Sequence, residues 1–307
     1  MSLKSNPLEK SNAANTRNLL HMLRHLAVRL SKSRAAKGRS FVSSTKKTDM
    51  PICSRPDGAK IYYEKKGTGP IKVLLVSPGG MNSQISKWAA MPWNPWENLD
   101  IKKFTIVAMD QRNSDSNRSS GPIGNGWDTY AEDILAVLDE CHFDNVLAMG
   151  SCIGPSYIFK CIELQPERFF GAVLMQPIGF ATASVESEKW EGTNERHTKS
   201  WFNQWRETML LNNRFSESEI DTLEQCMFGN NNFVFSVKPE WLSNLDTPLL
   251  VLMGHDYYHP ALTSHQIAYL SPNAIINMRW WDTKALNHLG QQVENFFLNN
   301  YRGSSKF

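Results

Sequence analysis

A cysteine between two glycines is the residue of this chain best placed to do chemistry. The apolar stretch 146–149 leads into Gly150, and Cys152 and Gly154 follow at alternate positions. A G-x-C-x-G pattern is typical of a sharp turn from a strand into a helix, where the neighbours of the central residue must be small. We predict that the Cys152 side chain stands above a sheet. The amide of Ile153, at the start of the helix, is then expected to point at any oxyanion that forms there.

A cysteine nucleophile needs a base to take its proton and an acid to orient that base. The chain offers them in the order Cys152, Asp256, His288. We predict Asp256 as the acid, because it directly follows the apolar stretch 249–253, and His288 as the base, because it precedes the last predicted helix. The end of an earlier strand is an alternative acid position, but it offers Gln176 and no carboxylate.

The other histidines fit the role of base less well. His255 and His259 flank Asp256 and could line a pocket, and each of the remaining histidines is expected at the surface or in the core. Asp282 is the nearest competitor for the acid, but it lies too close to His288 in sequence for this pattern.

The first 48 residues differ in charge from the rest of the 307-residue chain. They hold eleven Lys or Arg and one acid, for a net charge of +10, whereas the remainder holds 22 basic and 29 acidic residues, for a net charge of −7. Leucines at near-helical spacing, interspersed arginines and frequent serines are typical of a mitochondrial or plastid transit peptide. A disordered or surface-binding basic arm has the same composition. We expect residues 1–48 to be a targeting arm, disordered or cleaved, that directs the protein to the mitochondrial matrix, with a plastid or the cytoplasm as alternatives.

The rest of the composition excludes several classes of partner. No apolar run approaches 18 residues, so no stable membrane insertion is expected. The mildly acidic globular part does not indicate nucleic-acid binding. The five cysteines are scattered and include no C-x-x-C pair, so neither a disulfide framework nor a zinc site is implied. We predict no metal and no cofactor, and the oligomeric state stays open.

Apolar stretches alternate with helical patterns after the arm. The predicted strands are 60–65, 71–76, 104–109, 146–149, 172–175, 248–253 and 274–278, and the predicted helices include 128–138, 156–165 and one containing 293–298. This alternation predicts an α/β fold with a mostly parallel twisted sheet flanked by helices. Residues 181–244 interrupt it with a polar, tryptophan-rich, helical stretch. We predict a core of residues 49–180 plus 245–307 and an inserted helical cap of residues 181–244.

Together these features resemble the capped branch of the α/β-hydrolase superfamily, over about residues 55–300. The resemblance implies an α/β-hydrolase fold and a second oxyanion amide after the strand 71–76, which would belong to Gly80 or Met81. It also implies a structural turn at 110–115, similar to the D-x-R-G-x-G turn of the superfamily. Here Asn113 stands where a glycine is usual, and asparagine tolerates the positive φ of such a turn.

A cysteine at this turn narrows the expected chemistry. Its acyl-enzyme would be a thioester, which suits lactones, enol esters and thioesters better than unactivated amides. Among α/β-hydrolases, such a cysteine resembles dienelactone hydrolases and polyhydroxyalkanoate synthases, and the Gly-x-Cys-Ile-Gly turn is similar to that of a group of capped hydrolases. We predict a hydrolase of a small-molecule acyl substrate. Two alternatives stay open: an acyltransferase on the same triad, and a non-catalytic scaffold that serves as a binding or assembly subunit.

Overall fold

The structure is a computed structural model that describes residues 50–179, 193–229, 234–256 and 258–302, with side chains left undescribed for 193–199. The predicted targeting arm, residues 1–48, therefore lies outside the described residues and stays a prediction.

One eight-stranded sheet forms the centre of the described part. Its order is β1-β2-β4-β3-β5-β6-β7-β8; β3 to β8 pair in parallel, and β1 and β2 are antiparallel additions at one edge. The strands are β1 (Ile52–Ser54), β2 (Lys60–Lys66), β3 (Ile71–Val76), β4 (Phe104–Met109), β5 (Val146–Cys152), β6 (Phe169–Pro177), β7 (Leu249–Leu252) and β8 (Ala274–Asn277). The predicted fold class is confirmed, and β1 is an addition to the predicted strands.

Helices cover both faces of this sheet. Successive side chains of a strand point to opposite faces, so Leu74 of β3 joins one apolar core and Leu75 joins the other. The helices are α1 (Pro95–Asn98), α2 (Trp127–Glu140), α3 (Gly154–Leu164), α4 (Thr193–Leu211), α5 (Glu217–Phe228), α6 (Pro239–Leu242), α7 (Ala261–Leu270) and α8 (Thr283–Asn300). The first core packs under α2 and α3, and the second under α8. Strands buried on both faces explain why β3, β4 and β5 read as continuous apolar runs.

The segment between β6 and β7 contains α4, α5 and α6. A capping box opens α5, because the Ser216 amide donates to Glu219 Oε2 over 2.7 Å and the Glu219 amide donates back to Ser216 Oγ over 3.4 Å. A hydrogen bond joins the segment to the turn after β4: Trp205 Nε1 donates to the carbonyl of Asn113 over 2.9 Å. The division of the chain into a core and a cap at 181 and 244 stays a prediction.

A buried ion pair holds the turn after β4 against α2. The side chains of Arg112 and Asp133 are both fully buried. The guanidinium donates hydrogen bonds from Nε and Nη2 to the carboxylate, over 2.6 and 2.7 Å. Burial opposes the charge of Arg112, but its hydrogen bonds to Asp133 and Asp57 keep the pKa above its usual value. The turn is structural, as the sequence indicates.

Removing one partner of this pair should destabilise the protein strongly. We expect Asp133→Asn to lower the free energy of unfolding by about 3–5 kcal/mol, because it leaves the buried Arg112 charge without its main partner. Denaturant unfolding measures this loss. Asp221→Asn is the matched control, since Asp221 is exposed beside Arg206 and such pairs contribute about 0–1 kcal/mol. Equal losses in the two variants would contradict the assignment.

Candidate active site

The turn from β5 into α3 places Cys152 in a strained conformation. Its φ is 61°, in the left-handed region that non-glycine residues seldom adopt. A Cβ on Gly150 would lie 2.7 Å from the carbonyl carbon of Gly154, and a Cβ on Gly154 would lie 2.5 Å from the carbonyl oxygen of Val76. The backbone can therefore turn this sharply only with glycine at both positions. The Cys152 side chain stays partly accessible at the carboxyl end of the sheet.

The histidine that meets Cys152 is His259. Its Nδ1 lies 2.8 Å from Asp256 Oδ1 and 2.9 Å from Oδ2. Its Nε2 is buried, finds no oxygen or nitrogen partner among the described residues, and faces the sulfur of Cys152. The loop after β7 thus supplies both an acid and a base, three residues apart. Asp256 Oδ1 also accepts the amides of Tyr258 and His259, over 2.9 and 3.0 Å, which fixes the loop.

The structure does not bring His288 to this site, which corrects the predicted base. The segment 287–290 is not a loop: it lies inside α8, whose buried residues Leu289, Val293 and Phe297 recur every fourth position. His288 is on the opposite face of that helix, exposed, and it borders a groove beside β8. His259, expected from the sequence to line a pocket, is the histidine that contacts both Asp256 and Cys152.

Two backbone amides converge on the Cys152 sulfur. One belongs to Ile153, as predicted from the turn, and the other to Gly79. The second donor is therefore one residue earlier than the predicted Gly80 or Met81. Met81 is buried in the core. Gly80, at φ 60°, lies under the ring of Trp201, where a Cβ would come within 2.5 Å of the indole.

The charges of this cluster stabilise one another. Burial raises the pKa of a thiol, yet His259 and the amides of Gly79 and Ile153 outweigh it, so the pKa of Cys152 is lowered from 9.0. Burial disfavours a charged His259, but the Cys152 thiolate and Asp256 raise its pKa to about 10. Burial alone would raise the pKa of Asp256, but His259 and the two loop amides outweigh burial and lower that pKa. The favoured state is a thiolate–imidazolium pair.

Three other cysteines show the opposite electrostatics. Burial raises the pKa of Cys53, Cys141 and Cys161, and no histidine compensates for it there. A lowered pKa at a partly accessible position is what makes a cysteine reactive. Among these residues, Cys152 has that combination.

Gln176 adds a contact on the far side of the acid. It lies at the end of β6 with φ 48°, and its Nε2 donates to Asp256 Oδ2 over 3.4 Å. The alternative acid position thus holds an amide that contacts Asp256. His255, next to Asp256, points elsewhere and stacks on Trp281 with ring centroids 3.8 Å apart.

A polar cleft opens beside the loop that holds Asp256 and His259. It is lined by one face of α4 and by a residue of the loop after β7: Ser200, Trp201, Asn203, Gln204, Glu207 and Tyr258.

Among the residues with described positions, no cluster of three His, Cys, Asp or Glu side chains could bind a metal ion. Within the same residues, none of the helices has the length and apolar character needed to span a bilayer.

Several solved structures are similar to this chain in fold. Est816, an N-acyl homoserine lactone degrading enzyme, is 19% identical at a TM-score of 0.54, over 80% of this chain and 100% of that one. The meta-cleavage product hydrolase CumD from Pseudomonas fluorescens IP01 is 15% identical at a TM-score of 0.55, over 81% and 97%. The chain has the α/β-hydrolase fold. The esterase RhEst1 from Rhodococcus sp. ECU1013 is also similar, with 18% identity, a TM-score of 0.53 and coverage of 82% and 99%.

Sequence comparison adds a partial match. A model of the Ndr family matches residues 97–238, a range that includes Cys152 and ends before Asp256 and His259. No curated protein matches the chain in sequence. The comparisons thus show the fold, and the geometry of the site is the evidence for its chemistry.

Proposed function

We propose that the protein is a hydrolase of activated acyl compounds that uses Cys152 as nucleophile, His259 as base and Asp256 as the residue that orients the base. One observation carries the proposal: His259, the Gly79 amide and the Ile153 amide all converge on one strained, partly accessible thiol. A scaffold that had lost its chemistry would not need this convergence. The hydrolases among the structural neighbours are consistent with the proposal.

The reaction follows from the resting ion pair. The Cys152 thiolate adds to the acyl carbonyl, forming a carbon–sulfur bond, and the Gly79 and Ile153 amides shift from the sulfur to the new oxyanion. The intermediate collapses and expels the leaving group, which takes the proton of His259. A water molecule then gives a proton to His259 and adds to the thioester, and Cys152 leaves as a thiolate.

The lowered pKa of Cys152 selects the substrate class. The tetrahedral intermediate expels its better leaving group, and a stabilised thiolate leaves more readily than an alkoxide or an amine. Acylation is therefore most favourable with a leaving group that competes with the Cys152 thiolate, as in thioesters, enol esters and strained lactones. Unactivated amides are disfavoured as substrates by the same comparison.

An acyl-directed probe tests the proposal directly. The protein is incubated with an activated ester that leaves a stable acyl group, and the adduct is located by mass spectrometry of peptides. We expect acylation of Cys152 and its reversal by hydroxylamine, as for a thioester. Transfer of the acyl group from Cys152 to an added acyl acceptor, in place of water, would favour the acyltransferase. A protein without any adduct on Cys152 would contradict both and favour the scaffold.

Trp201 should influence substrate binding, whereas Trp205 should influence stability. Trp201 is partly exposed in the cleft above Gly80, and Trp205 is fully buried. We expect Trp201→Ala to raise KM several-fold while leaving the rate of Cys152 alkylation by iodoacetamide unchanged. Trp205→Ala should instead lower the free energy of unfolding by about 3–5 kcal/mol. If Trp201→Ala slowed alkylation as much as catalysis, the indole would be supporting the Gly79–Gly80 turn.

A further inference from the structure

A small cavity with several polar groups in a mostly apolar wall lies behind the turn that donates the Gly79 amide. Four side chains contribute polar atoms to its wall that have no hydrogen-bond partner: Ser77, Gln111, Tyr130 and Tyr157. Each of these residues is at most 5% exposed. The Gln111 amide lies close enough to both phenols to oppose the rise that burial causes in their pKa, but neither contact has full hydrogen-bond geometry. Buried polar groups in folded proteins are almost always paired, so this cluster points to a ligand.

The cavity limits the ligand in size and charge. The centre of a water molecule can occupy about 10 Å³ of it, which is close to the ~10–15 Å³ that one water needs. No charged side chain lines the wall, and the remaining lining includes the apolar Val76, Met109 and Ile134. The unpaired hydroxyls and the amide can both donate and accept. A single neutral molecule with the same capacity, and no larger than water, matches them.

Position connects the cavity to the reactive thiol. Ser77 is two residues before Gly79, and its carbonyl is held by the Ser83 hydroxyl over 2.6 Å. Its own hydroxyl is directed into the cavity. Tyr157 lies on α3, five residues after Cys152, near enough for the thiolate to contribute to its raised pKa after the larger effect of burial. One molecule bound here would join β3, β4, α2 and α3 directly behind the thiol.

We propose that this cavity binds one water molecule, which bridges Ser77 to Gln111, Tyr130 and Tyr157 and thereby holds the Gly79 amide on Cys152. The binding of water stands independently, whereas the effect on Cys152 rests on the proposed function. Ser77 is then a positioning residue, because it acts on the sulfur through the Gly79 backbone.

The sign of a stability change tests the water site. A hydroxyl that binds the water should stabilise the fold, so Tyr130→Phe and Tyr157→Phe should each lower Tm by about 2–4 °C. A dry cavity would give the opposite sign, since each variant would remove an unpaired buried hydroxyl. Tyr63→Phe, at a partly buried tyrosine outside the cavity, is the control and should leave Tm unchanged.

A crystal structure at high resolution should show one density peak within about 3.2 Å of Ser77 Oγ and both phenols. The Gln111 amide bonded directly to the phenols, without such a peak, would overturn the site.

The pH dependence of alkylation tests the effect on Cys152. We expect Ser77→Ala to shift the midpoint of the iodoacetamide rate profile of Cys152 upward, because the Gly79 amide would no longer be held on the thiolate, and Ser77→Thr to restore it. An unchanged midpoint in Ser77→Ala would overturn the positioning role. Failure of the proposed function would give a different result. The rate profile of the wild type would then have the midpoint of an ordinary thiol, whereas the Tm of the two Tyr→Phe variants would still test the water site.

Discussion

Cys152→Ala should lower kcat on an activated thioester or lactone by about 10⁴-fold or more, because the nucleophile is removed while the fold is kept. Cys152→Ser should keep a trace of activity: His259 can still act as a base, but a hydroxyl is far harder to ionise than a thiol whose pKa the site lowers. Steady-state kinetics on purified protein measures both losses. Thermal unfolding should show that neither variant is unfolded.

Cys226→Ala is the matched control for this prediction. Cys226 is an exposed free cysteine on α5, away from the convergence of amides at Cys152, so its loss should leave kcat unchanged. Wild-type hydrolysis by Cys152→Ala would rule out the nucleophile and leave the scaffold as the better account of the strained turn.

Much of the core could be predicted from the sequence because its strands are buried on both faces. The stretches 71–76 and 104–109 are apolar at every position except Lys72 and Thr105. A short, nearly continuous apolar run between turn residues is typical of a strand buried on both faces. The strand β1 was missed since it has three residues and sits at an edge. Too few side chains are buried there to leave a pattern.

The sharp turn at Cys152 could be predicted from the sequence, whereas the histidine that meets Cys152 could not, for a physical reason. Gly150 and Gly154 leave a local signal, because the backbone at Cys152 allows no larger neighbours. A histidine can act as a base only if its ring lies next to the nucleophile, and the sequence of a loop does not specify the position of that ring. His288 is predicted as the base because it precedes the last predicted helix, but the four-residue repeat of Leu289, Val293 and Phe297 extends that helix over the segment.

One signal for His259 was present in the sequence. Asp256 and His259 are three residues apart in a loop that follows a buried strand, and this spacing lets a carboxylate hold the ring of its neighbour. The second amide donor was misplaced by one residue for a similar reason. Which of several consecutive amides faces the sulfur depends on the φ of Gly79 and Gly80, 125° and 60°, and such angles cannot be read from a run of glycines.

His259→Ala should separate the two histidines most sharply. We expect it to lower kcat by about 10²–10⁴-fold, the usual contribution of a general base. It should also remove the main group that lowers the pKa of Cys152, so that burial raises it instead. In the wild type, the thiolate persists as pH falls below 9.0, until the lowered pKa of Cys152 is reached. In the variant, the rate of iodoacetamide alkylation should already fall about tenfold per pH unit in that range, as for an unassisted thiol.

His288→Ala is the control that decides between the sites. Because His288 lies exposed on α8, its replacement should leave kcat, KM and the pH profile of alkylation unchanged. Asp256→Asn should fall between the two variants: the ring of His259 stays in place, but the charge that supports its imidazolium is lost, so both kcat and the thiolate fraction near pH 7 decrease. Loss of activity in His288→Ala, with His259→Ala unaffected, would mean that the working base comes from α8, and the ion pair at Cys152 would then need another explanation.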